Sequence, residues 1–176
     1  MIYVFLVDNH ETVEALTIVD LLRRAKLNVL TVSLTNSLEV ISSVNIKVYA
    51  DILFNDISLN NIDALILPGG PGTNSYLEHK DLCNLLIKEY NNNTLLAAIC
   101  AAPIIFSKLN INVNSTIYPT YKDQIKYYNN TNVCIDNNII TGESLAASID
   151  FTLEIIRYLT NDTIVNEVSN SIIKRY

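Results

Sequence analysis

The chain has 176 residues, 49% of them apolar and 17% charged, with mean hydropathy +0.24; this is enough apolar surface for a sizeable core, excludes disorder, and fits one domain over 1–176. A formal charge of -6 argues against a broad nucleic-acid or anionic-membrane surface, because the long-range field repels phosphates, although a small basic patch stays open. Three cysteines at 83, 100 and 134, an odd number without paired spacing, form neither a disulfide framework nor a zinc motif and read as thiols of a reducing cytoplasm.

The apolar run Ile2 to Val7 reads as the first strand. It meets Asp8 too soon for a signal peptide and has no basic flank, and no apolar run reaches transmembrane length, so a cytoplasmic location is expected. A helix is expected from Glu11 to Ala25, with Ile18, Leu21, Leu22 and Ala25 forming its apolar stripe. Stepping back four residues from Ile18 places Glu14 on the inward face, whereas Glu11 falls on the outer turn. Taken alone, Glu14 is explained by the helix dipole, which favours acidic residues in a first turn.

Asn28 to Leu34 is the second strand and Ile46 to Ala50 the third, with a weaker extended piece at Glu39 to Ile41. Ala64 to Leu67 is a short buried strand ending in Pro68-Gly69-Gly70-Pro71-Gly72. This loop lacks the spacing of a dinucleotide or phosphate loop, and Pro71 removes an amide donor. It fits close backbone approach at the carboxyl edge of a sheet, where the Gly70 amide can face a ligand. A helix over Asp81 to Tyr90 follows, and then the most informative stretch.

Leu95 to Ile99 is a continuous apolar run, the pattern of a strand buried on both faces, and it stops at Cys100 before a helix expected over Ala101 to Leu109. Cys100 therefore sits on a strand-to-helix bend, the geometry that lifts a nucleophile above a sheet with amides aimed at its sulfur. The competing reading is an inert buried cysteine acting as a small hydrophobe. Short extended pieces are expected at Ser115 to Ile117, Val133 to Ile135 and Ile139 to Thr141, then helices at Ser148 to Leu159 and Thr163 to Ser169. Clusters such as Asn91-Asn92-Asn93 and Asn129-Asn130 read as loops. Alternating strands and helices give a doubly wound, mostly parallel α/β sheet.

Three blocks in order, Glu14 through Val19-Asp20-Leu21-Leu22-Arg23-Arg24-Ala25, then Leu67-Pro68-Gly69-Gly70, then Ala97-Ala98-Ile99-Cys100-Ala101-Ala102-Pro103, resemble the ThiJ/PfpI superfamily, in its branch of the Parkinson-disease protein deglycase. The resemblance covers nearly the whole chain. It implies a flavodoxin-like sandwich and a homodimer, with Cys100 as the reactive residue, Glu14 as its protonated partner, and amides near Gly69, Gly70 and Ala101 forming an oxyanion site. The implied activities are methylglyoxal conversion to lactate and deglycation, on a small aldehyde substrate. The departures are specific: Ala101 follows Cys100, both histidines (His10 and His79) precede it, and Tyr118 stands before Pro119 where the branch often has a histidine. Ala102 replaces the glycine usual after Cys-Ala, and Glu143 to Ser148 replaces a Gly-Pro-Gly-Thr type loop. A protease-like or amidotransferase-like triad with a downstream histidine is excluded by inventory.

A thiol needs help to ionise near neutral pH. A helix N-terminus supplies roughly one pKa unit or less, so a larger depression needs a hydrogen bond to sulfur that only a protonated glutamic acid at Glu14 can donate. Two functions remain: an aldehyde-processing enzyme with Cys100 as nucleophile, and a non-catalytic redox sensor in which Cys100 is oxidised to sulfinate. A flavodoxin-like FMN carrier is poorly supported, because no hydroxyl-rich phosphate loop follows the first strand. No metal or cofactor is expected, since no His, Cys or carboxylate cluster has ligand spacing.

Overall fold

The computed structural model describes residues 1–174. In chain order the strands are β1 (Ile2–Leu6), β2 (Val29–Ser33), β3 (Glu39–Ile41), β4 (Lys47–Tyr49), β5 (Ile52–Leu53), β6 (Ala64–Leu67), β7 (Leu95–Ile99), β8 (Asn114–Ser115), β9 (Tyr127–Tyr128), β10 (Val133–Asp136) and β11 (Ile139–Gly142). The helices are α1 (Thr12–Arg24), α2 (Ser75–Glu78), α3 (Lys80–Asn91), α4 (Ile104–Lys108), α5 (Ser148–Leu159) and α6 (Asp162–Ser171). The main sheet runs β10-β11-β7-β6-β1-β2-β5, parallel throughout except where β10 turns back against β11. This is the doubly wound, mostly parallel α/β sheet that the alternation of elements calls for.

The period of two in the strands divides the core between the sheet's faces. Tyr3, Phe5, Leu65, Leu67, Leu96 and Ala98 meet α3 and α4 on one side, while Ile2, Val4, Ile66, Leu95, Ala97 and Ile99 meet α1, α5 and α6 on the other. Burial on both faces is why these strands are apolar runs without alternation. Each large side chain so buried contributes about 1.5–3 kcal/mol.

Turns are supplied by asparagine in a chain with only 4 glycines. Asn9, Asn45, Asn61, Asn93, Asn110 and Asn137 all adopt positive φ. Asparagine tolerates the left-handed region because its short amide bonds locally, so the Asn-rich loops are structural.

Two expected elements change. Residues 46–50 do not join the main sheet: β4 pairs antiparallel with β3 as a separate ribbon, and the edge beside β2 is taken by β5. The preceding Asp51 sets that edge, its Oδ2 accepting from the Thr31 amide and hydroxyl, both at 2.8 Å, and from Arg23. The helix expected from Ala101 begins only at Ile104, because Cys100 to Pro103 form a tight turn, with Ala102 N donating to Ile99 O at 3.0 Å. Proline suits the start of a helix, where its missing N–H is not needed.

Candidate active site

Glu14 stands in the first turn of α1 and is fully buried at 0% exposure. Its Oε2 accepts from the Gly69 amide at 2.8 Å, Oε1 is buried without a hydrogen-bonded partner, and the carboxyl lies within interaction range of the Cys100 thiol. Inward placement thus follows the helical arithmetic, and the helix dipole alone does not account for it.

Cys100 follows β7 with φ +63°, a left-handed conformation that costs a non-glycine residue about 1–2 kcal/mol. Bonds on either side impose it: Cys100 N donates to Gly142 O at 2.9 Å, and Cys100 O accepts from Tyr118 N at 2.8 Å. The amides of Ala101 and Gly70 act on the sulfur. Because α4 is short and starts four residues after Cys100, these individual amides polarise the site more than a helix dipole does.

Gly69 fills the gap between acid and thiol. A Cβ there would lie 2.6 Å from Cys100 Cβ and 2.8 Å from Glu14 Oε2, so only glycine permits the approach. Gly70 has φ +109° and packs against Asn9 and Glu11, whose amide donates to Gly69 O at 2.9 Å. The proline-glycine loop therefore serves close packing at the sheet edge.

A cavity of about 400 Å³ opens over the thiol, lined by Glu11, Glu14, Gly70, Pro71, Cys100, Ala101, Tyr118, Tyr121, Ser144 and Leu145. Cys100, Glu14, Gly70, Ala101 and Tyr118 share this lining, with Gly69 behind them. Tyr118 is 42% exposed at the rim. Sequence reasoning missed Pro71, Tyr121, Ser144 and Leu145, although Ser144 and Leu145 belong to the Glu143 to Ser148 loop already singled out. Glu11 was misplaced on the outer turn: it is the N-cap of α1, with extended backbone, so helical periodicity does not apply to it. A cavity of similar size around Phe54, Ile57 and Leu85 has no cysteine among its described lining residues.

Burial raises the Glu14 carboxyl from an ordinary 4.5 to about 7, opposed by the contacts with Cys100 and Gly69 and reinforced by the Glu11 carboxylate. The thiol does not follow the expected depression. Burial, then the Glu14 charge and its hydrogen bond, push Cys100 up to about 12, against the pull of the Ala101 and Gly70 amides. The two groups form one coupled acid. Loss of its first proton leaves a monoanion, and thiolate character requires that the remaining proton sit on Glu14.

Neither histidine lines the cavity. His10 is buried, its Nδ1 2.9 Å from Val7 O, and burial lowers its pKa; His79 caps α3, with Nδ1 accepting from Leu82 N.

The family model described as the DJ-1/PfpI family matches residues 1–158. The chain belongs to the DJ-1/PfpI family. Protein DJ-1 homolog B of Arabidopsis thaliana is 34% identical over 161 residues, covering 88% of this chain and 37% of that protein, so the chain spans well under half of that relative's length. The Caenorhabditis elegans protein named glutathione-independent glyoxalase DJR-1.2 is 27% identical over 172 residues, covering 95% of this chain and 90% of the relative. The solved structure of oxidized DJ-1 from Toxoplasma gondii matches with a TM-score of 0.96 at 27% identity, covering 99% of this chain and 98% of that one. The DJ-1/PfpI assignment thus agrees with the order of the Glu14, Gly69 and Cys100 blocks along the chain.

Proposed function

We propose that this protein is a cysteine-dependent, cofactor-independent glyoxalase or deglycase-type enzyme acting on reactive aldehydes such as methylglyoxal. The observation that carries the reading is a buried carboxyl, raised to about 7, beside a thiol at the floor of an open cavity. An acid with that pKa can both give and take a proton near neutrality. A relative named as a glutathione-independent glyoxalase lends further support.

In the proposed reaction the Cys100 thiolate attacks the aldehyde carbon. An S–C bond forms, the C=O π bond breaks, and the oxygen takes its proton from Glu14 while the Gly70 and Ala101 amides and the Tyr118 hydroxyl donate to it. The Glu14 carboxylate then removes the carbon-bound proton, giving an enediolate. Glu14 returns that proton to the neighbouring carbon while the hydroxyl proton passes to that carbon's oxygen, leaving a 2-hydroxy thioester. Water hydrolyses the thioester, releasing lactate and the free thiol. One carbon is oxidised and its neighbour reduced, so no external electron carrier is needed.

A second reading, a redox sensor or protective protein, is favoured by the Gly70 and Ala101 amides and the Glu14 carboxyl, which suit the oxygens of a cysteine sulfinate, and by the absence of histidine from the cavity lining. Steady-state assays with methylglyoxal separate the two. The enzyme reading requires turnover in the wild type that falls to background in Cys100→Ser and by roughly 100-fold or more in Glu14→Gln. Wild-type activity no higher than that of Cys100→Ser overturns it. Selective addition of two oxygens to Cys100 under mild peroxide would then support the sensor. The protein is further proposed to be a cytoplasmic homodimer.

A further inference from the structure

The cavity over Cys100 is lined by two carboxylates, Glu11 and Glu14, and by the hydroxyl-bearing Tyr118, Tyr121 and Ser144, and among its described lining residues there is no lysine, arginine or histidine. Glu11 holds its place by capping α1, Oε1 accepting from Val13 N at 3.2 Å, and by backbone contact with Gly69. No cationic side chain contributes to the shift of either Glu14 or Cys100. Once the acid–thiol pair has lost its first proton, the cavity holds that negative charge together with the Glu11 carboxylate.

We infer that this site selects uncharged carbonyl compounds and rejects anionic ones, with Glu11 as the residue that determines the discrimination. The inference rests on the reading of Cys100 as the reactive group of the site. An incoming carboxylate or phosphate finds amides and hydroxyls but no counter-charge, and like charges a few ångströms apart in a half-buried cavity repel strongly enough to suppress reaction by about tenfold or more. A neutral α-oxoaldehyde meets no such barrier, and its oxygens can accept from the hydroxyls and amides. Methylglyoxal should therefore be processed in preference to glyoxylate, an aldehyde of similar size that carries a carboxylate.

Alkylation tests the charge of the cavity without relying on turnover. Iodoacetamide and iodoacetate are near-isosteric, neutral and anionic respectively, and both react by sulfur forming a bond to carbon as iodide leaves. The measurement is the ratio of their rates at Cys100, followed by peptide mass spectrometry, beside the same ratio for N-acetylcysteine. The wild-type ratio should favour iodoacetamide by about tenfold beyond the free thiol, and Glu11→Gln, which keeps the capping oxygen, should reduce that preference by at least about threefold. Glu11→Gln also lowers the Glu14 pKa, but that changes the thiolate fraction for both reagents alike and cancels in the ratio. In the wild type alone, raising ionic strength should narrow the ratio by screening. A ratio equal to that of N-acetylcysteine, or one that Glu11→Gln leaves unchanged, overturns the inference. Charge-selective alkylation without methylglyoxal turnover would refute the enzyme and leave the selection standing, whereas turnover with unselective alkylation would do the reverse.

Discussion

At Cys100 the chain holds a nucleophile-type residue at φ +63° where most of its other left-handed positions are asparagine, so the strain coincides with the site. The Glu14 carboxyl beside it makes stability depend on pH. The unfolded chain ionises Glu14 near 4.5 while the fold retains the proton until about 7, so the folded state binds more protons between these values and stability falls as pH rises. A displacement from 4.5 to about 7 is worth about 3 kcal/mol, present in full below 4.5 and lost by pH 8. Urea unfolding at pH 5 and pH 8 should show this decline in the wild type and its absence in Glu14→Gln; equal pH slopes would count against the buried acid. Tyr118 supplies a phenol that mainly donates, where an imidazole could also accept a proton. Tyr118→His should raise methylglyoxal turnover and Tyr118→Phe lower it modestly, and identical kinetics in all three proteins would place Tyr118 outside the reaction.

Among the elements, the loop after β6 does the positioning. Gly69 lets β6 and β7 deliver the Glu14 contact and Cys100 to one point, and its missing Cβ is occupied by Cys100 Cβ, Glu14 Oε2 and Ile99 O. Gly69→Ala should therefore cost about 1–3 kcal/mol of stability through overpacking and separate the acid from the thiol. The measurement is the pH profile of Cys100 alkylation, which the Glu14 contact shapes in the wild type by raising the thiol; a profile unchanged in Gly69→Ala would show that the contact tolerates a methyl group. The edge strand β5 depends on Asp51. Its own burial raises the Asp51 pKa, but the Thr31 amide and hydroxyl and the Arg23 guanidinium outweigh it and hold the carboxyl below its ordinary 3.8. The resulting stability is full above 3.8 and is lost as pH falls through the lower folded value.

Across the whole molecule, exposed apolar side chains gather on the first half of α1 and on the β3–β4 ribbon: Val13, Leu16, Leu38, Ile41, Val44, Ile46 and Tyr49. The ribbon packs against α1 through Ala15, Val40 and Ala50. A second copy covering this face would account for apolar residues that are otherwise left in water. Sedimentation analysis should find a dimer for the wild type and a monomer for Leu16→Glu combined with Val44→Glu. A wild-type monomer would remove the proposed dimer, and a double variant that remains dimeric would move the interface elsewhere. No helix among the described residues is long and apolar enough to cross a membrane.

The parallel sheet, the inward face of α1 and the bend at Cys100 were legible in the sequence because each is written in local periodicity. Fully buried strands must be apolar runs, a helix face repeats at three and four residues, and a nucleophile after such a strand has only a turn to occupy. Residues 46–50 looked like a third sheet strand because periodicity reports which faces are apolar but not which neighbour a strand chooses; Asp51, bonded to Thr31, gave the edge to Ile52 and Leu53. The sequence marked Glu14 and Cys100 individually, but the sign of the thiol's shift depended on their separation and shared burial, which are properties of the packed molecule. Glu11, Tyr121 and Ser144 entered the cavity from a helix cap, a short 3-10 helix and a loop, all too short for a repeating pattern. Only tertiary structure could assemble them, because contacts between residues far apart in sequence leave no period in the chain.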